Sequence, residues 1–242
     1  MKYFEKELAT FENADIKELA EMMIVNIPDY FFHVPASSTG KYHPQYALGD
    51  GGLYRHTCAL LRFMNYILSL EMIQNIFDSR ERDLMRIAGI MHDSRKSGEE
   101  DSKSQFTVFE HPLLAAEAIR RFKDRVSTIS NAEIEIIAEA CEAHMGQWST
   151  DKRSKIVLPT PTSKYQMLLH LADYLASRKD IEVLFDDYVK ENFTEEMRMP
   201  FGKYKGMLLT DIAKDDSDYL KWVVNNTDIR EPLKTAVLKL VK

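Results

Sequence analysis

Apolar residues return every three or four positions through most of the chain, the spacing of helices that bury one face. "ADIKELAEMMIVN" puts Ile16, Leu19, Ala20 and Met23 on one stripe, with Asp15 near its start. Longer helices are predicted over "LYRHTCALLRFMNYILSLEMI" and "SRERDLMRIAGIMHD". "HPLLAAEAIRRFKDRV" carries Pro112 where a first helical turn tolerates it, and "NAEIEIIAEACEAHM" opens on Asn131, a capping residue type. "KYQMLLHLADYLASRKDIEVLF" continues the pattern. No period-two alternation strong enough for a strand precedes residue 198, and no segment repeats.

The breaks are equally informative. "IPDYFFHVPASSTGKYHPQYALGDGG" is rich in Pro, Gly, Ser and Asp, the composition of a long loop, and its aromatic residues argue for order and a functional role. Polar "SRKSGEEDSKSQFTVFE" and "LPTPTS" interrupt later. In "MPFGKYKGMLLTDIAKDDSDYLKWVVNN", two close glycines predict a small hairpin, followed by a helix capped by Asp215 or Asp216; a short helix, "REPLKTAVLKLVK", follows. The expectation is an all-α chain: a helical bundle over residues 1–194 and a small hairpin-plus-helix appendage over 195–242.

Charge and cysteine content narrow the classes. A net charge of −6 argues against a broad surface that coats nucleic acid, while leaving room for a local basic cleft or a metal that meets phosphate. Two cysteines, Cys58 and Cys141, are too few for a disulfide framework and sit in apolar helical stretches as reduced core thiols. The acid-studded first residues are not a signal peptide, and no apolar run reaches the length of a membrane span. A cytoplasmic protein is expected.

The chemistry lies in "IMHDSRKSG" and its partners. His56, the His92-Asp93 pair, His111, His144 and Asp173 fall on or beside five different helices, flanked at helical spacing by apolar residues, so all should face inward. Singly, an inward histidine is more often a hydrogen-bonded core residue. Four imidazoles and two carboxylates in one helical core would carry a large desolvation cost unless a cation compensates. Imidazole and carboxylate are ligands for divalent metals, with Mn, Fe, Zn, Ni or Mg the candidates carried forward.

The order His56, His92-Asp93, Asp173 resembles the HD superfamily of metal-dependent phosphohydrolases. The lead-in "FFHVPASSTGKYHPQYALGDGGLYRHT", with "TVFEHPLLAAEAI" and "HLADYLASR", is most similar to the HD domain of YhaM-type 3′–5′ exoribonucleases, over roughly residues 25–185. The resemblance implies a first metal held by His56, His92, Asp93 and Asp173, and a second held by the bridging Asp93 with His111 and His144. It also implies a phosphate-facing Lys96. Where the superfamily reads "HDIGK" this chain reads "HDSRK", and the OB-fold of YhaM-type enzymes has no counterpart here. The resemblance therefore does not carry strand capture or processivity. Arg95 is either a second phosphate contact or solvent-facing. His43 is a candidate proton donor, and Tyr42 and Tyr46 are substrate contacts or packing. His170, on the face of Asp173, either orients a ligand or simply packs; Cys141 is read as a core thiol.

The tail "PFGKYKG…DYLKWVV" looks like a small module at the C-termini of some exonucleases. Lys203 and Lys205 flank Tyr204, with Phe201 and Trp222 available to stack on a single strand or to form a local core. The leading expectation is hydrolysis of phosphodiester bonds in single-stranded nucleic acid or short oligonucleotides by metal-activated hydroxide. Nucleotide or cyclic-nucleotide phosphohydrolysis is the alternative, and a non-catalytic nucleotide- or nucleic-acid-binding regulator the second.

Overall fold

The structure, a computed structural model, describes residues 3–37, 43–99, 107–181, 183, 185, 197–227, 229 and 233–241. Among them are eleven α-helices and no strand, only two isolated antiparallel bridges, Thr150 to Val157 and Arg198 to Leu208. The chain divides into two compact units, Met1–Glu182 and Val183–Lys242. The expected boundary at 194/195 lies outside the described residues.

In the first unit, α1 (Glu5–Leu8) and α2 (Ala14–Val25) precede the long loop, which holds two 3-10 turns, Asp29–Phe32 and Gln45–Ala47. Then come α3 (Gly52–Leu68), α4 (Glu71–Gln74), α5 (Ser79–Met91), α6 (His111–Arg120), α7 (Asn131–Glu142) and α8 (Lys164–Ala176). Helix α3 packs on α5 and α8, and α7 on α5, α6 and α8. Gly89 of α5 permits the close approach of α3: a Cβ there would lie 2.8 Å from Leu61 Cδ2. The core between these helices includes Leu53, Leu60, Leu61, Met64, Leu84, Met85 and Ile87.

Helix starts are set by local side-chain bonds. Asp78 with Glu81, Ser130 with Glu133 and Ser163 with Gln166 form capping boxes. Asn131 is thus the first helical residue of α7 rather than its cap, because the hydroxyl of Ser130 takes the Glu133 amide. The run expected through residue 73 breaks at Ser69, whose hydroxyl donates to the Tyr66 carbonyl at 2.7 Å and competes for a helical acceptor. Helix α8 ends earlier than its pattern suggests, and the Ala176 carbonyl accepts the buried Tyr46 hydroxyl at 2.8 Å.

Asp83 ties the N-terminal segment down. Fully buried, it accepts from the amides of Glu12 (2.9 Å) and Asn13 (2.7 Å) and from the Asn13 side chain (2.8 Å), and it pairs with Arg86.

Among the described residues, the second unit holds a turn and three helices, α9 (Leu209–Asp215), α10 (Ser217–Asn226) and α11 (Leu233–Leu240), around Met199, Leu209, Ile212, Leu220, Val223 and Val237. The expected hairpin is a single bridge, with Met199 N bonded to Met207 O at 2.8 Å and Leu209 N to Met197 O at 2.8 Å. Asp216 is the residue that caps α10. No helix of the described residues is long and apolar enough to cross a membrane.

Candidate metal centre

Five helices bring six side chains to one point. His56 comes from the middle of α3, His92 and Asp93 from the end of α5, His111 from the start of α6, His144 from just past α7 and Asp173 from α8. The four imidazoles and Asp93 are buried. Ligand-type atoms of His56, His92 and Asp93 lie within 4.8 Å of one another, and so do those of Asp93, His111 and His144. Asp93 belongs to both groups. Asp173 joins the first, its Oδ1 2.9 Å from His56 Nε2 and 3.9 Å from His92 Nε2. Asp93 Oδ1 stands 2.9 Å from His111 Nε2 and 3.6 Å from His144 Nε2, while Oδ2 is 3.4 Å from His92 Nε2.

The rings are turned by their own backbone. His92 Nδ1 donates to Gly89 O at 2.8 Å, His111 Nδ1 to Val108 O at 2.7 Å and His144 Nδ1 to Cys141 O at 2.7 Å. A neutral ring that donates from Nδ1 presents a lone pair at Nε2, the form that binds a metal. His92 Nε2, His111 Nε2 and Asp93 Oδ1 are buried without a hydrogen-bond partner among the described residues. Native proteins seldom leave buried polar atoms in that state, so the donor set fits a cation.

The electrostatics agree. Burial opposes a charge on Asp93, but the charge of Lys96 and the close imidazoles of His92, His111 and His144 hold its carboxyl well below the usual range. Asp173 is likewise lowered, burial being outweighed by its bond to His56 and by the charges of His56, His92 and His144. Burial lowers His111 despite the pull of Asp93, which keeps the ring neutral.

Three neighbours complete the surroundings. Lys96 Nζ is 2.5 Å from Asp93 Oδ2. His43 leans edge-on to His56, ring centres 5.4 Å apart, with Nδ1 buried and unpartnered among the described residues. Burial and the charges of His56 and Lys96 push His43 down to about 3, so it enters as a neutral ring and its expected service as a proton donor would not be as an imidazolium. His170 Nδ1 donates to the carbonyl of His144 at 2.8 Å.

Other candidates lie elsewhere. Arg95 is not solvent-facing: only 6% exposed, it bonds to the Asn26 carbonyl at 3.1 Å and to Glu99 at 3.2 Å. Two positions beyond Asp93, it leaves the turn on another side. Tyr42 lies outside the described residues, and Tyr46 packs beneath the loop. Cys141 is a buried thiol whose Sγ reaches Ala88 O at 3.5 Å, pushed up by burial. In the second unit Lys203 is paired with Asp216 at 2.8 Å, Lys205 is exposed, Tyr204 and Tyr219 pack on the local core, and Phe201 and Trp222 are exposed.

A family model described as HD domain matches residues 53–178, just over half of the chain and the whole span from His56 to Asp173. The chain belongs to the HD family. It is a metal-dependent phosphohydrolase in general type, and its histidine and aspartate clusters are of the kind that holds a divalent metal. A second model, exodeoxyribonuclease X-like C-terminal, matches residues 199–228, so the HD domain carries an exonuclease-like module. Neither the curated proteins nor the solved structures contain a match to the chain.

Sequence reasoning passed over Trp148, Tyr174 and Arg178, which cluster beside His170. One signal was available: a tryptophan in the polar stretch "GQWST", four positions after His144.

Proposed function

We propose that this HD protein hydrolyses phosphodiester bonds in single-stranded nucleic acid or short oligonucleotides, using two divalent ions that share Asp93. The observation that carries the reading is one buried carboxylate common to two histidine groups, with a lysine against it. The exonuclease-like module supports nucleic acid over a free nucleotide as the phosphorus source.

His56, His92, Asp93 and Asp173 would hold one ion, and Asp93, His111 and His144 the other. Bound there, divalent ions lower the pKa of water and offset charge on phosphoryl oxygens. Four imidazoles and two carboxylates suit Mn, Fe, Ni or Zn better than Mg, which prefers oxygen ligands. Lys96 Nζ sets a positive charge beside the place where phosphoryl oxygens gain negative charge. Asp93, held ionised, would serve both ions, and a proton placed on it would cost that coordination. His43, neutral, offers Nδ1 for a hydrogen bond to substrate. Lys205 and the exposed Phe201 and Trp222 are contacts for the strand. Two buried thiols fit a reducing compartment such as the cytoplasm.

The test is a substrate panel with Mn2+: p-nitrophenyl phosphodiesters, labelled oligonucleotides, cyclic nucleotides and deoxynucleoside triphosphates. Stepwise release of mononucleotides is expected. Phosphate or triphosphate from nucleotides alone would move the assignment to nucleotide hydrolysis, and no turnover of any substrate would leave a binding regulator.

A further inference from the structure

Beside the metal centre stands an aromatic group that the chemistry described so far does not use. Trp148 is 47% exposed although it sits against the core of the first unit. Its ring lies nearly parallel to that of Tyr174, 14° apart with centres at 6.1 Å, and edge-on to His170 at 6.3 Å. Tyr174 follows Asp173 in α8, and His170 is bonded to the carbonyl of His144, so both residues under Trp148 are tied to candidate metal ligands. Arg178, one turn on, places its guanidinium 4.2 Å over the Tyr174 ring, and its Nε is buried with no hydrogen-bond partner among the described residues. The bend that seats Trp148 depends on Gly146, whose φ is +59° and where a Cβ would lie 2.2 Å from the His170 ring. Next to His170 opens an apolar cleft of about 470 Å³, lined by Gly146, Pro161, Met167 and Leu171 among others.

A tryptophan packed against a core normally hides most of its ring. One left half in water, stiffened from beneath by a tyrosine and an arginine, is the form of a stacking surface for a planar ligand. Resting on the phosphodiesterase reading above, we propose that Trp148 and Tyr174 are the platform on which the nucleobase next to the reacting phosphate stacks. A π-face is common to every base, so the platform selects unpaired bases rather than a sequence. A base within a duplex is already stacked on its neighbours and cannot turn onto Trp148. Single strands are therefore the substrate form, with Arg178 holding Tyr174 in place.

Two measurements on the full chain test this. Trp148 and Trp222 are the only tryptophans, so Trp222→Phe leaves Trp148 as the sole reporter. Its fluorescence should be quenched by short single-stranded DNA or RNA with a phosphorothioate backbone, and not by an abasic strand of equal length. In turnover, Trp148→Ala should raise KM on the ordinary strand about 5- to 100-fold, the range of one lost stack, with little change on the abasic strand. Trp148→Phe should restore most of the loss. Equal quenching by abasic strand, no quenching by either, or an unchanged KM overturns the platform. Base-dependent quenching in a protein that hydrolyses no oligonucleotide keeps the platform and sinks the phosphodiesterase reading.

Discussion

Loading the metal centre should stabilise the first unit by an amount that can be worked out in advance. Three buried atoms, His92 Nε2, His111 Nε2 and Asp93 Oδ1, have no hydrogen-bond partner among the described residues. At about 1–3 kcal/mol for each buried polar group left unsatisfied, roughly 3–9 kcal/mol is available to an ion that coordinates them. Mass action sets how much is seen: a free ion at a thousand times its Kd adds about 4 kcal/mol. For a unit of this size that is a rise in Tm of about 8–16 °C. The assay is thermal unfolding of protein stripped with chelator, titrated with Mn2+, alongside metal analysis. Asp93→Asn keeps the shape of the side chain but loses the charge that both groups share, so its shift should shrink to a few degrees at most. Asp93→Ala should lose metal content and hydrolysis together. Because either change leaves Lys96 without its anion, His111→Gln serves as a second variant that spares that pair and should lose one ion of two. A full shift in Asp93→Asn, or none in the unaltered protein at saturating metal, would refute the shared-carboxylate site.

Three further outcomes follow from the same geometry. His170→Ala removes the bond to the His144 carbonyl and should weaken metal binding about 10- to 100-fold, while Gly146→Ala, which drives a methyl into the His170 ring, should do the same; equal metal affinity in both variants by calorimetry would show that His170 only packs. Asp83→Ala strands the buried Arg86 and three donors and should cost about 3–5 kcal/mol in urea unfolding, a loss below 1 kcal/mol counting against its role as a strap. Burial works against the Glu81 carboxylate, but Lys164, Tyr165 and the Asp78 amide lower it below its usual value of 4.5, so it contributes stability above that pH and loses it as pH falls through the lowered value. Glu81→Gln should therefore reduce stability at pH 7 and flatten its decline as pH falls below 4.5; parallel curves would contradict the linkage.

The helices and the convergence of six ligand-type residues were legible because both follow from spacing: an inward face repeats every three or four residues, His56, His111 and Asp173 fall on one, and His92, Asp93 and His144 lie just past the ends of two others. Details that depend on a competing bond were not. Nothing in the period of "CALLRFMNYILSLEMI" reveals that Ser69 will take the Tyr66 carbonyl and stop α3, or that Ser130 will outcompete Asn131 for a cap. The burial of Arg95 was not legible, because its bond to the Asn26 carbonyl comes from a segment nearly seventy positions away. Trp148 escaped notice for the opposite reason: it belongs to no periodic pattern, and its value lies in Tyr174 and His170, brought to it by α8.

Three of the imidazoles are aimed by carbonyls only three residues behind them, at Gly89, Val108 and Cys141. The aim of each ring is thus inherited from the few residues of main chain that carry it, not from distant side chains. The apolar residues that fill the bundle can then drift in identity without retuning those three rings, so long as the five helices keep their mutual distances. A fold with that property separates the upkeep of its chemistry from the upkeep of its packing, and leaves the loops and the surface around Trp148 free to change what is admitted.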